Sequence, residues 1–499
     1  MNNGKKYILA IDQSTSATKV MLFNRQAELI YRVTLPHQQH YPQPGFVEHD
    51  AEEIFFNTLK GMKQVVSETK TSVSEIAAIA ITNQRETALI WDKTTGKPVA
   101  NAVVWQCQRG AEFCNELKEK GFAKTIMEKT GLIIDPYFSA SKLRWLMKNV
   151  EGLPGKAAQR ELLLGTMDSW LLWKLTGGKV HATDYSNACR TMLFNIHKLK
   201  WDEELTRIFE LNETMFPKVK YSDEIFGFTN PKVIFDEPLP ISGLIGDSHG
   251  AFFGQQCFES GMGKATYGTG SSVMVNIGKN PLPPPNGLVT SIGFGFRKQI
   301  DYVFEGNIHC TGDTINWLKN ELQLIHDASE TEKLATSVDG NNGVYLVPAF
   351  VGLGAPYWEN EARAVIVGMS RNATKAHIVR AALESIAYQV KDLVDLMSHS
   401  GEVKLTALSV DGGPTRNDFL MQFQSDMLQG KVKRSDIEEV SALGATFLAG
   451  LAFGFWKDLD DLKSLRKPDK TFQPKMKPEV VDKLYAGWKK AVAQSLLKS

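Results

Sequence analysis

The chain opens on an apolar run, Tyr7 to Ile11, closed by Asp12, and a second run, EIAAIAIT from Glu75 to Thr82, has the same character. Short runs that are apolar throughout, rather than alternating, predict strands buried on both faces. Between them, Asp50 with Glu53 three residues on predicts a capping box that opens a helix through about Val66. Strands alternating with helices in this way define an α/β class with mixed sheets. Ligands in such sheets sit beyond the carboxyl ends of the strands.

A second cycle begins near Leu239. ISGLIGD, from Ile241 to Asp247, reads as a strand, AFFGQQCF as a helix and DYVFEGNIH as another strand. His377 to Met397 carries apolar residues at helical spacing, Leu405 to Val410 is a strand, and a Gly-Gly turn with a further helix fills Asp411 to Met427. With 499 residues the chain exceeds one core and suits two domains of roughly 200–250 residues. The expected boundary lies near residue 255, giving domains 1–255 and 256–499. Glu479 to Leu497 places Val480, Val481, Leu484, Tyr485, Trp488, Val492 and Leu496 on one face with lysines opposite, a helix expected to dock on its own domain.

Two hydroxyl-rich turns stand about half the chain apart, IDQSTSATKVMLF at Ile11 to Phe23 and TYGTGSSVMVNIG at Thr266 to Gly278. Each reads as strand, tight turn, strand, and each aims backbone N–H groups and Ser or Thr hydroxyls at one point, as a polyphosphate oxygen requires. One such turn alone would be an ordinary hairpin. The pair looks like a duplicated phosphate clamp.

Composition narrows the partners. Lys and Arg total 57 against 56 Asp and Glu, so no overall field draws the chain to nucleic acid or an anionic membrane. Five cysteines without CxxC spacing exclude a disulfide framework and a zinc knuckle and suit a reducing, cytoplasmic compartment. Tyr7 to Ile11 is too short for a signal or membrane-inserted segment. A homo-oligomer stays open.

Single residues then suggest chemistry. Asp12 and Asp247 each end a strand, where a carboxylate facing a phosphate clamp holds Mg²⁺ through water or accepts a hydroxyl proton. The competing reading of Asp247 is a helix N-cap. Gly412 and Gly413 in SVDGGPTRNDF allow close approach of a flat ligand. Arg85 and Glu86 together suit neighbouring hydroxyls of a polyol, provided the strand has already turned, because successive strand residues face opposite ways. Trp105 and Tyr137 supply an apolar wall and a hydroxyl, or simply core packing. No GxxxxGK[ST] and no strand-placed GxGxxG occurs, so neither a P-loop nor a Rossmann site fits.

The runs ITNQRET (Ile81 to Thr87), VVWQCQR (Val103 to Arg109), IDPYFS (Ile134 to Ser139), NACRTMLFNI (Asn187 to Ile196), GVYLVPAFVGLGAPYW (Gly343 to Trp358), LESIAYQ (Leu383 to Gln389), FLMQFQSD (Phe419 to Asp426) and AGWKKAV (Ala486 to Val492) resemble the glycerol kinases of the FGGY carbohydrate kinase family. That resemblance spans essentially the whole chain. It implies two actin-like (ribonuclease H-like) domains with a cleft between them, ATP on the second and the polyol on the first. It further implies ATP- and Mg²⁺-dependent phosphorylation of glycerol to sn-glycerol 3-phosphate, with Asp247 as base and Asp12 near the metal. Thr15, Ser16 and Lys19 match the family's first phosphate turn, Thr269 the second, and Gly312, Asn316, Gly413 and Asn417 its nucleotide contacts. Arg85, Glu86, Tyr137 and Asp247 match its glycerol contacts.

Three positions depart from the glycerol kinase pattern. Ser14 stands in DQSTSATK where those enzymes read DQGTTSSR, Ser248 replaces a substrate-touching Gln, and Ser272 replaces a Phe that packs on the carbon chain. The shorter side chains at Ser248 and Ser272 enlarge the pocket, and with Ser14 they leave open a kinase of a four- or five-carbon polyol or ketose. An actin-like nucleotide-binding protein without enzymatic activity is a further alternative, one that needs none of the polyol contacts.

Overall fold

In the computed structural model, residues 4–359, 361–400, 403–435, 437, 439–465 and 470–497 are described. A first sheet of six strands carries the Tyr7–Gln13 strand at its centre. That strand runs antiparallel to Ala17–Asn24 and parallel to Ile76–Asn83, which is in turn parallel to Pro240–Gly246. Leu29–Pro36 completes an antiparallel meander on the other side. A second sheet of seven strands repeats the plan around Met262–Tyr267, antiparallel to Ser271–Gly278 and parallel to Ala407–Asp411. Both sheets are mixed, as expected, and each lobe is built on one of them.

Alternation along these strands decides which face meets which core. In the first strand Leu9 and Ile11 point to a cluster with Ile54, Met62 and Trp170, whereas Ile8 and Ala10 point to one with Ala445, Leu448 and Phe252. Both faces are covered, which explains the unbroken apolar run. In Met262–Tyr267, Ala265 and Tyr267 enter the core under the Lys375–Ser400 helix. Lys264 and Thr266 necessarily take the opposite face.

The Asp50 cap is observed. Its carboxylate accepts from Glu52 N at 2.8 Å and Glu53 N at 3.3 Å at the start of the Ala51–Thr69 helix. The reciprocal half of the expected capping box is replaced, because the Glu53 carboxylate accepts instead from Gln38 N at 3.2 Å. Lys70 in a left-handed conformation closes the helix beyond the expected Val66. At the C-terminus the helix Pro478–Ser495 buries Val481, Trp488 and Val492, while Val480 and Leu496 remain exposed at the rim of the expected apolar face.

Helix Val440–Ala452, late in the chain, packs back on the first sheet and on the helix Asp247–Gly254. The two helices approach so closely that a Cβ on Gly444 would lie 1.9 Å from Gly250 O, and one on Gly254 would lie 2.4 Å from Val440 O. Glycine is required on both sides of this crossing. Among the described residues no helix is long and apolar enough to cross a membrane.

Candidate active site

Parallel pairing brings three chain segments to one edge of the first sheet. Asp12 is level with Thr82, and Gly246 with Asn83, so Asp12, Arg85 and Asp247 all emerge at neighbouring carboxyl ends. The strand stops at Asn83, and Glu86 adopts φ +61°, a left-handed conformation unusual for a residue with a side chain. The chain has therefore turned before the Arg-Glu pair, which meets the condition set by strand alternation.

Asp247 does not cap its helix. Gly246 occupies that position, and the Asp247 Oδ1 accepts from Ser248 N at 2.6 Å while lying 3.3 Å from Arg85 Nε. Its side chain is 36% exposed, enough for a small ligand to reach it. Burial raises the Asp247 carboxyl above its ordinary value, opposed by Arg85, the Ser248 amide and Lys264. Arg85 itself is buried and held by Glu305 of the second lobe, with Nη2 donating at 2.8 Å and Nη1 at 3.1 Å.

Glu86 is buried and accepts from Arg190 Nε at 2.6 Å. Tyr137 and Trp105 meet edge to face with ring centroids 5.6 Å apart, both half-buried against the first lobe's core. Trp105 Nε1 donates to Thr15 Oγ1 at 3.0 Å and ties that pair to the first hydroxyl-rich turn. Beneath Tyr137 the fully buried Lys142 donates to the carbonyls of Pro136 at 2.6 Å and Phe138 at 3.1 Å, pinning the loop. Ser248 is half-buried next to Asp247.

In the first turn Ser14 N and Oγ both donate to Ala17 O at 2.9 Å, and Ser16 is exposed at the tip. Lys19 Nζ lies 2.6 Å from Glu439 and 3.9 Å from Asp12. Burial pushes the Asp12 carboxyl up to about 7 against the pull of Lys19, with Glu439 and Asp247 adding to the rise. A buried carboxylate so weakly compensated fits a cation.

Turn Gly268–Gly270 reaches the helix Gly312–Asn320: Gly268 O accepts from Gly312 N at 2.9 Å and Thr269 O from Thr311 N at 2.8 Å. Thr269 and Asn316 are exposed, and Asn316 lies one helical turn beyond Gly312. Gly412, with φ +102°, leaves only 1.9 Å between a would-be Cβ and Tyr267 O, so the Gly-Gly turn must lie flat against the same clamp. Gly413 has open space on its Cβ side. Asn417 is engaged as the cap of the Asp418–Leu428 helix, accepting from Leu420 N at 2.9 Å and donating to Thr331 Oγ1 at 3.0 Å.

The candidates thus form two groups, one around Arg85 and Asp247 and one around Gly268–Gly312, where Thr269 and Asn316 are exposed while the amides of Gly268, Thr311, Gly312 and Asp313 donate to backbone carbonyls. Between them lies a polar patch on the second sheet that sequence reasoning missed. Lys264 is fully buried and donates to Thr266 Oγ1 at 3.1 Å and Ser272 Oγ at 3.4 Å, and Thr266 Oγ1 donates to Asp411 at 3.2 Å. Burial lowers the Lys264 ammonium from its ordinary value and raises Asp411. Arg190, Glu305 and Glu439 were missed as well. The available signal was a lone charge inside an apolar stretch, as in KATY, CRTMLF and VFEGNI.

Two lobes on repeated mixed sheets, with carboxylates, a guanidinium and hydroxyl-rich turns at their junction, suit a phosphotransferase. Models of the N-terminal and C-terminal domains of the FGGY family of carbohydrate kinases match residues 7–254 and 263–453, and the chain belongs to that family. Glycerol kinase 1 of Thermotoga maritima is 53% identical, covering 98% of this chain and 99% of its own. A glycerol kinase of Bacillus cereus is 48% identical over 98% of both chains. Among solved structures, a Plasmodium falciparum glycerol kinase with ADP superposes with a TM-score of 0.95 at 38% identity, covering 99% of each chain. A gluconate kinase of Lactobacillus acidophilus, at 21% identity and TM-score 0.88, shares the fold.

Proposed function

We propose that this protein phosphorylates glycerol with ATP, giving sn-glycerol 3-phosphate. The observation that carries the reading is the 53% identity to a glycerol kinase across nearly the whole of both chains. The polyol pocket supports it. Asp247, open to a ligand and beside Arg85, orients the terminal hydroxyl and takes its proton as the oxygen attacks the γ-phosphorus and ADP departs with the bridging oxygen. Arg85 and Glu86 donate to and accept from the remaining hydroxyls, Tyr137 adds its own, and Trp105 covers the carbon chain.

Nucleotide binding falls to the second group. The exposed Thr269, beside Gly312, meets phosphate oxygens, Thr15, Ser16 and Lys19 approach from the first lobe, and Gly413, Asn316 and Asn417 line the nucleoside side. Asp12 would hold Mg²⁺ through water. That ion, when bound, neutralises charge on the transferring phosphoryl group. For Lys19 to serve ATP it must leave Glu439 or share itself between the two. The domains are assigned as 1–255 and 256–499, and the protein as cytoplasmic.

ADP release measured with purified protein over glycerol, erythritol, pentitols and pentuloses tests the reading. Glycerol is expected to give the highest kcat/KM. A second reading, a larger polyol, is favoured by the Lys264 ammonium standing 3.4 Å from Ser272, a polar wall suited to an extra hydroxyl. A tenfold or greater preference for a four- or five-carbon substrate, about 1.4 kcal/mol, would establish it instead.

A further inference from the structure

Glu305 lies in the Gln299–Ile308 strand of the second lobe, level with Met274 and hence on the face that carries Lys264 and Ser272. It is 1% exposed, yet two guanidinium groups from the first lobe reach it. Arg85 gives it both terminal nitrogens, and Arg190 Nη1 donates to Oε2 at 2.8 Å. Arg190 also donates to Ser291 Oγ at 2.7 Å and through Nε to Glu86. With its fork on Glu305 and Nη1 also 3.4 Å from His249 Nδ1, Arg85 turns its Nε to Asp247 at 3.3 Å. Two arginines and two glutamates balance, so the buried cluster carries no net charge.

We propose that Glu305 is a positioning residue for the polyol. From the opposite lobe it sets the direction of Arg85 and, through Arg190, of Glu86, so the hydroxyl-binding side chains of the first lobe are correctly aimed only while the two lobes are in register. Arg85 by itself has other uses for its fork. Without Glu305 its two terminal nitrogens would turn onto Asp247, already 3.3 Å from Nε, and close the space a hydroxyl needs. The inference rests on the kinase reading for its substrate, but not for its geometry.

Glu305→Gln keeps the shape and removes the charge, whereas Glu305→Asp keeps the charge and withdraws it by one methylene. Glycerol KM is expected to rise about tenfold or more in the Gln variant and by less in the Asp variant, with ATP affinity within about twofold of the parent. A role in folding alone would lower the thermal midpoint and the active fraction without moving glycerol KM. If the Gln variant does not fold, the Asp variant decides. Glycerol KM unchanged in a folded variant overturns the proposal. Titration calorimetry with glycerol separates this result from a failure of the kinase reading, since parent protein that binds glycerol without phosphorylating it sinks that reading while the ratio of variant to parent affinity still judges Glu305.

Discussion

A carboxylate that must take a proton has to be ionised beforehand, and burial makes that harder for Asp247. Because its pKa is raised, the acid limb of kcat/KM for glycerol is expected above the ordinary Asp value of about 3.9, with activity lost as pH falls through it. A limb at or below that value would contradict the environment described. Lys19 stands between Asp12 and Glu439, so Lys19→Ala removes the group that opposes the rise at Asp12 and the first turn's only ammonium. ATP KM is expected to increase about tenfold, read from initial rates at saturating glycerol. Much of the placement of these residues was legible in the chain. Asp12, Arg85, Glu86, Trp105, Tyr137 and Asp247 stand at strand ends or in loops beside apolar runs, and the structure gathers them at neighbouring carboxyl ends and the loops beside them. Lys264, Arg190 and Glu305 were not, since partners 115 residues apart, as for Arg190 and Glu305, meet only through the fold.

Elements followed the hydrophobic pattern closely wherever local signals governed them. The strands at Tyr7 and Ile76, the Asp50 cap and the long helix Lys375–Ser400 all agree with it. The N-cap alternative for Asp247 failed because Gly246 already holds the extended conformation that a cap requires, φ −63° and ψ 150°. Least visible was the docking of Val440–Ala452 on the first lobe. Its AxGxxxxAG pattern shows small residues but not which helix they meet. That crossing makes a prediction at this scale: Gly444→Ala forces a methyl against Gly250 O and should destabilise by roughly 1–3 kcal/mol, seen as a lower thermal midpoint. Unchanged stability would mean that the helices separate without cost.

Across the whole molecule, each lobe supplies what the other lacks. In the proposed assignment the first brings Arg85, Glu86, Asp247 and Asp12, the second Thr269 and the segment around Gly312, and the charged pair Arg85–Glu305 joins them. Phosphoryl transfer asks for alignment and charge neutralisation more than for covalent chemistry, so a site divided between two lobes suits it. The most direct measurement of the central claim is turnover of Asp247→Asn beside its nucleotide affinity. Loss of the proton acceptor should lower kcat with glycerol by about 10²–10⁴, while ATP binding by equilibrium titration stays within about twofold of the parent. Turnover close to that of the parent protein would contradict the assignment of Asp247 as the base.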